Sequence, residues 1–397
     1  MSGVFAVALA SALSLSTALP AMVAPGATPV PLAVPAPAPG AAPVQLTLPA
    51  PTGHERVGTV SLHLVDRSRP DPWVPTEPAR ELMVQLWYPT NDARGRTRAP
   101  WVSPGVADLL NPPGSPVALP VTHAYAGAPV GPGRHPVVVY SPGLGMERTS
   151  STALVEDLAG HGYVVVTIDH PHDARFVEFP DGRIATQALP VPTDPESEAR
   201  MIATALATRV ADTRYTLDQL AALDRGRNPD AEHRALPRGL AGSLDLTRIG
   251  MVGHSLGGAT AAQAMLEDPR IRAGVNLDGT VSGTVLTAGL DRPFLLLGSP
   301  GDDDSWTALW ARLRGPRHRL ELAGSGHLSF TDYQVLLAQA GVPAGDREPT
   351  LGTIDGDRSV AVQRVYLRTF LDRYLLCRDG RLLAGSSPRY PEMLFRS

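Results

Sequence analysis

The sequence contains no lysine: all 35 of its basic residues are arginine, against 39 acidic ones, for a formal net charge of −4. Together with the abundance of Ala, Gly and Pro this reflects GC-rich coding and carries no functional information. No basic stripe is present, so nucleic acid is not an expected partner. Cys377 is the only cysteine, which excludes an intrachain disulfide and any Cys-based metal site. Its leucine-rich helical surroundings predict a buried, inert thiol. The apolar run Val4 to Leu19 is too short for a membrane span. With small residues following at Ala21, Ala24 and Ala27, it reads as the leader of a secreted protein (1–24), although the basic stretch that usually precedes such a run is missing.

Residues 25–52 are mostly Pro, Ala and Val, carry no charge and show no period, which predicts a linker. The globular domain is then expected over 53–397, with a hydrophobic content of 43%, ample for a core. Two half-buried strands are predicted at Gly58 to Val65 and Glu81 to Trp87, and an irregular surface excursion over the Pro/Gly-dense 100–134. Pro136 to Ser141 is a continuous apolar run, as of a central strand buried on both faces; Tyr163 to Ile168 and Leu246 to Val252 read as buried strands, and Ile271 to Leu277, Pro293 to Gly298 and His318 to Leu322 as further strands. Helical segments separate several of them: one running to Gly160, Glu196 to Leu223, and Gly258 to Leu266. Arg358 to Cys377 closes the chain as a further helix. Strands alternating with helices specify an α/β fold with a mostly parallel sheet.

Gly253-His254-Ser255-Leu256-Gly257 lies between a predicted strand and an Ala-rich helix. That context turns a weak G-x-S-x-G match into a sharp turn that thrusts the serine hydroxyl outward. A serine needs a base to take its proton, and the base needs a carboxylate to fix its tautomer. Only His318 and His327 follow Ser255. His318 opens a strand between two arginines and reads as a packed or exposed side chain; His327, in a Gly-Ser-Gly turn after the last predicted strand, is the candidate base. Asp278, alone at a strand end, competes with the Asp302 to Asp304 run for the acid. The run reads as solvated loop carboxylates, which favours Asp278. The backbone N–H groups of Leu144 and Leu256 are the candidate oxyanion donors. His170 and His172, with Asp169 and Asp173, suit a polar loop better than a metal site, so neither metal nor cofactor is expected.

Gly253-His254-Ser255-Leu256-Gly257-Gly258-Ala259-Thr260, Leu277-Asp278 and Gly324-Ser325-Gly326-His327 resemble the plasma-type platelet-activating factor acetylhydrolase family, as do Ser141-Pro142-Gly143-Leu144-Gly145 and Asp157-Leu158-Ala159-Gly160-His161-Gly162-Tyr163. The similarity runs from about Val57 to Tyr374. It implies an α/β-hydrolase fold and a calcium-independent serine esterase, with Ser255, Asp278 and His327 as triad and Leu144 and Leu256 as oxyanion donors. Pro142 departs from the family, which commonly has a histidine there; its side chain has no group to brace the loop by a hydrogen bond. The expected substrates are short-acyl, platelet-activating-factor-like phospholipids or related lipid esters. A broad carboxylesterase, a lipase or a polyester hydrolase is the alternative, and a non-catalytic binding protein on the same scaffold a remoter one. A monomer is expected. The segments Trp101 to Pro129 and Thr331 to Ala340 flank the site and are expected to make transient contact with lipid surfaces, although a buried core face would explain Val335, Leu336 and Leu337 equally well.

Overall fold

The computed structural model describes residues 42–396. The expected leader and the first part of the expected linker lie outside the described residues. The chain enters through β1 (Val44–Gln45), followed by the long antiparallel pair β2 (Arg56–Asp66) and β3 (Arg80–Thr90). Next come β4 (Arg98–Pro100), α1 (Pro104–Leu110), β5 (Val117–Ala118) and β6 (Val121–Ala126). β7 (His135–Ser141) leads through α2 (Thr152–Gly160) into β8 (Val164–Asp169). A small hairpin, β9 (Phe176–Glu178) and β10 (Ile184–Thr186), precedes the long helix α3 (Pro195–Asp224). Strands and helices then alternate: β11 (Leu244–His254), α4 (Leu256–Glu267), β12 (Ile271–Leu277), α5 (Val285–Ala288), β13 (Phe294–Gly298), α6 (Asp304–Trp310), β14 (Arg317–Leu322). A 3-10 turn (His327–Phe330), α7 (Tyr333–Gln339), α8 (Ala344–Leu351), α9 (Gly356–Leu376) and β15 (Met393–Arg396) complete the chain.

One 11-stranded sheet, in the order β15-β14-β13-β12-β11-β7-β8-β3-β2-β6-β4, organises the molecule. Its centre, from β14 to β8, is parallel; β15 and β3 flank it antiparallel. The apolar runs of the central strands follow from cover on both faces. Along β7, Val137 and Val139 enter one core with α3 and α4, while Val138 and Tyr140 enter the other with α2 and α9. Helix α3 is fixed at its start by a reciprocal cap: the Asp194 carboxylate accepts the Ser197 N–H at 2.7 Å, and Pro195 occupies the first turn. The fold is the α/β architecture that the strand-helix alternation predicts, and the strand positions agree within a few residues.

Four expectations differ from the structure. The folded body starts before Gly53: Leu46 and Leu48, 1% and 5% exposed, pack with Trp101, Val106 and Val335 in a third apolar cluster. Two leucines among prolines are enough to anchor a segment otherwise read as linker. The 100–134 stretch is not a loose excursion, because β4 and β6 extend the sheet and Trp101 is buried with its indole N–H on the Thr149 carbonyl at 3.1 Å. Helix α7 turns Val335, Leu336 and Leu337 inward, the core reading of Thr331 to Ala340 and not the lipid-facing one. Cys377 is exposed, since it is the left-handed residue (φ 54°) that ends α9 instead of lying on its inner face.

Candidate active site

Strand β11 runs parallel between β7 and β12, placing Gly253 beside Ser141 on one side and Asn276 on the other. The chain then turns sharply at Ser255, whose φ of 54° and ψ of −124° lie outside the ordinary regions for an L-residue. Glycine alone fits around it. A Cβ on Gly253 would lie 2.0 Å from the Gly257 carbonyl oxygen, one on Gly257 2.0 Å from that of Ser141, and one on Gly258 1.9 Å from Asn276 Oδ1. The Ser255 N–H is tied to the Leu277 carbonyl at 2.9 Å.

Asp278 follows directly on β12, with a φ of 53°. The Asn276 amide staples this turn: its Oδ1 accepts the Gly279 N–H at 2.8 Å and its Nδ2 donates to the Gly279 carbonyl at 2.6 Å. Asp278 Oδ1 accepts the Ser299 N–H (2.6 Å) and hydroxyl (2.8 Å), leaving Oδ2 to accept from His327 Nδ1 at 2.7 Å. On the far side of the ring, His327 Nε2 lies 3.1 Å from Ser255 Oγ. The structure thus joins Ser255, His327 and Asp278 in one hydrogen-bonded chain. Burial alone would raise the Asp278 pKa, but the imidazole and the two Ser299 donors outweigh it and hold the carboxyl below its usual value.

His327 is carried by the turn after β14, half-exposed over the serine. His254, fully buried, donates from Nε2 to the His327 carbonyl at 2.9 Å and lies ring against ring at 4.7 Å. Burial and the neighbouring His327 push its pKa down to about 3, so it stays neutral and braces the backbone of His327. In the sequence it is only the variable residue of G-x-S-x-G. His318 takes the packed role expected of it, its Nε2 2.9 Å from the Tyr374 hydroxyl. In the Asp302 to Asp304 run, Asp303 is the N-cap of α6 and not a solvated carboxylate: it accepts from the Ser305 N–H at 2.8 Å and from the Thr280 hydroxyl at 2.8 Å.

Leu144 follows β7 and Leu256 opens α4; among the described residues neither backbone N–H donates to any acceptor. The loop carrying Leu144 is braced from a place the sequence reading did not mark. Arg209 of α3, fully buried, pairs with Asp173 through Nε and Nη2, each at 2.7 Å, and donates from Nη2 to the Gly143 carbonyl at 3.0 Å and from Nη1 to that of Pro142. His170 accepts or donates at two points in the same network, Ser141 Oγ (3.0 Å) and Asp212 Oδ2 (2.8 Å), while His172 and Glu77 form a separate contact at 3.2 Å. Among the described residues one cluster, Asp71, Glu77 and His172, has the spacing to hold a cation, but the Asp71 carboxylate is already engaged by buried Arg80.

A family model described as platelet-activating factor acetylhydrolase, isoform II, matches residues 44–342. A probable 1-alkyl-2-acetylglycerophosphocholine esterase of Arthroderma benhamiae is 30% identical over 278 residues, 66% of this chain and 66% of that protein. The platelet-activating factor acetylhydrolase of Cavia porcellus is 24% identical over 261 residues, 61% of this chain and 58% of its own length. The chain therefore spans just under two thirds, or less, of these relatives. The solved ferulic acid esterase from Streptomyces cinnamoneus is 37% identical with a TM-score of 0.77, covering 88% of this chain and 99% of that one.

Proposed function

Since the chain belongs to the platelet-activating factor acetylhydrolase isoform II family, we propose that it is a calcium-independent serine ester hydrolase acting on short-acyl, platelet-activating-factor-like lipid esters. The observation that carries this reading is the continuous contact from Ser255 Oγ through His327 to Asp278, at 3.1 and 2.7 Å. Ser255 Oγ attacks the acyl carbonyl as His327 Nε2 takes its proton, and Asp278 holds the Nδ1–H tautomer and balances the imidazolium. The free N–H groups of Leu144 and Leu256 receive the oxyanion, the second with the added field of the α4 N-terminus. Collapse of the tetrahedral intermediate expels the alcohol, protonated by His327. Water, activated by the same nitrogen, then releases the acid from the acyl-enzyme.

A second reading has its own support. The ferulic acid esterase matches over nearly its whole length and at higher identity than the lipid-ester relatives, which favours a compact aromatic or general carboxylic ester as substrate. The same assay separates the two. Fluorophosphonate should label the wild type and spare Ser255→Ala. Turnover in the presence of a calcium chelator is then compared on a short-acyl phosphatidylcholine, p-nitrophenyl esters of graded length and methyl ferulate. Preference for the phospholipid by tenfold or more in kcat/KM is expected. Preference for the ferulate by that margin moves the assignment to the second reading, and labelling that survives in Ser255→Ala removes the site itself.

A further inference from the structure

We propose that Arg209, in a fixed pair with Asp173, is the positioning residue that aims the Leu144 N–H at the oxyanion. The inference rests on the reading of Leu144 as an oxyanion donor. In a trans peptide the carbonyl of one residue and the N–H of the next point in opposite directions, and no described peptide bond is cis. Whatever holds the Gly143 carbonyl therefore sets the direction of the Leu144 N–H. That holder is Arg209: Nη2 donates to the Gly143 oxygen at 3.0 Å while Nη1 takes the Pro142 oxygen on the preceding peptide. Two consecutive carbonyls drawn to one planar guanidinium leave the next N–H directed away from it. Loop residues on the other side are fixed by the same pair, because Asp173 Oδ1 accepts the Gly145 N–H at 3.2 Å.

The guanidinium is itself immobile. Arg209 and Asp173 are 0% and 1% exposed and joined through two parallel contacts of 2.7 Å, the geometry in which an arginine fork is most directional. One turn further along α3, Asp212 orients His170, whose Nε2 reaches Ser141 Oγ at 3.0 Å at the root of the loop. Pro142 has no side-chain group to brace the loop, and α3 supplies the brace from below. Lysine is a poor substitute here, since a single ammonium cannot serve Asp173 and two carbonyls with planar geometry.

The test compares Arg209→Lys with wild type on p-nitrophenyl acetate and on its thionoester, in which sulfur replaces the carbonyl oxygen. A misaimed oxyanion donor lowers kcat on the oxoester by about 10- to 100-fold, with KM changed less than threefold. It also collapses the oxo-to-thiono rate ratio, because the advantage of oxygen depends on that hydrogen bond. A merely structural loss would depress both substrates alike and leave the ratio intact. If Arg209→Lys does not fold, the double variant Arg209→Met with Asp173→Leu, which strands no buried charge, is read by the same ratio. A folded variant with kcat within threefold, or with an unchanged ratio, overturns the proposal. Hydrolysis that persists in Ser255→Ala would instead overturn the reading of the site on which it rests.

Discussion

At the scale of single residues, the proposed acid is the assignment most in need of a test, because two groups of carboxylates follow strands downstream of Ser255. Geometry distinguishes them: Asp278 Oδ2 faces His327 Nδ1 at 2.7 Å, whereas Asp303 caps α6 with Oδ1 and accepts the Thr280 hydroxyl with Oδ2. Asp278→Asn should therefore lose about 10⁴-fold in kcat through the wrong histidine tautomer, with the melting curve preserved. Asp303→Asn should stay within tenfold in rate and lose at most about 1 kcal/mol of stability through the weakened cap. A reversal of these two outcomes in steady-state kinetics would move the acid to the later strand. That Ser255, Asp278 and His327 come together was legible in sequence because each directly follows a strand or its turn, in the chain order a triad would require. Arg209 was not. Its helix carries Arg209, Asp212, Arg214 and Asp218 in close succession, and charge alone does not say which pair turns inward. The stripe does: Arg209 shares the buried face with Leu206, Val210, Thr213 and Leu217, whereas Arg214 and Asp218 are exposed.

At the scale of elements, the loop between β7 and α2 conceals a titrating group. Glu147 is part-buried, its Oε1 enclosed and unpartnered, and desolvation first, then nearby Asp169, pushes its pKa up to about 7 from the ordinary 4.5. The folded state therefore keeps a proton that the unfolded chain releases. Stability from this source is complete below pH 4.5 and is lost as pH rises to about 7, on the order of 3 kcal/mol in all. Glu147→Gln, neutral throughout, should flatten the fall in urea midpoint between pH 5 and pH 8; an equal slope in the variant would assign that fall to other groups. Element positions were readable where apolar runs are long, and less so where strands are short. β4, β5 and β15 have two to four residues each, too few for a period to show. Helix α7 stayed open between core and lipid because a leucine run near a site has the same pattern whichever it faces.

At the scale of the whole molecule, the described chain is closed by a clasp between its beginning and its end. Arg364 of α9, 4% exposed, donates to the Ala50 carbonyl and to that of Pro49, each at 2.8 Å, while Gln339 holds Thr47 through both its N–H and its carbonyl. Starting the protein at Gly53 removes these contacts and the burial of Leu46 and Leu48. That should cost on the order of 3–5 kcal/mol, seen as a lower urea midpoint, with ester hydrolysis retained at low temperature. An unchanged midpoint would return the domain boundary to Gly53. The clasp also has a consequence in time. The Arg364–Ala50 contact joins residues 314 apart in sequence, and the entropy of closing so long a loop grows only slowly with its length, so the delay weighs on the rate of folding more than on its yield. As the chain is synthesised, Leu46 and Leu48 emerge early and stay incompletely covered until α7 and α9 follow to complete their cluster, a window in which a chaperone or an aggregate finds them before the last of their own partners do.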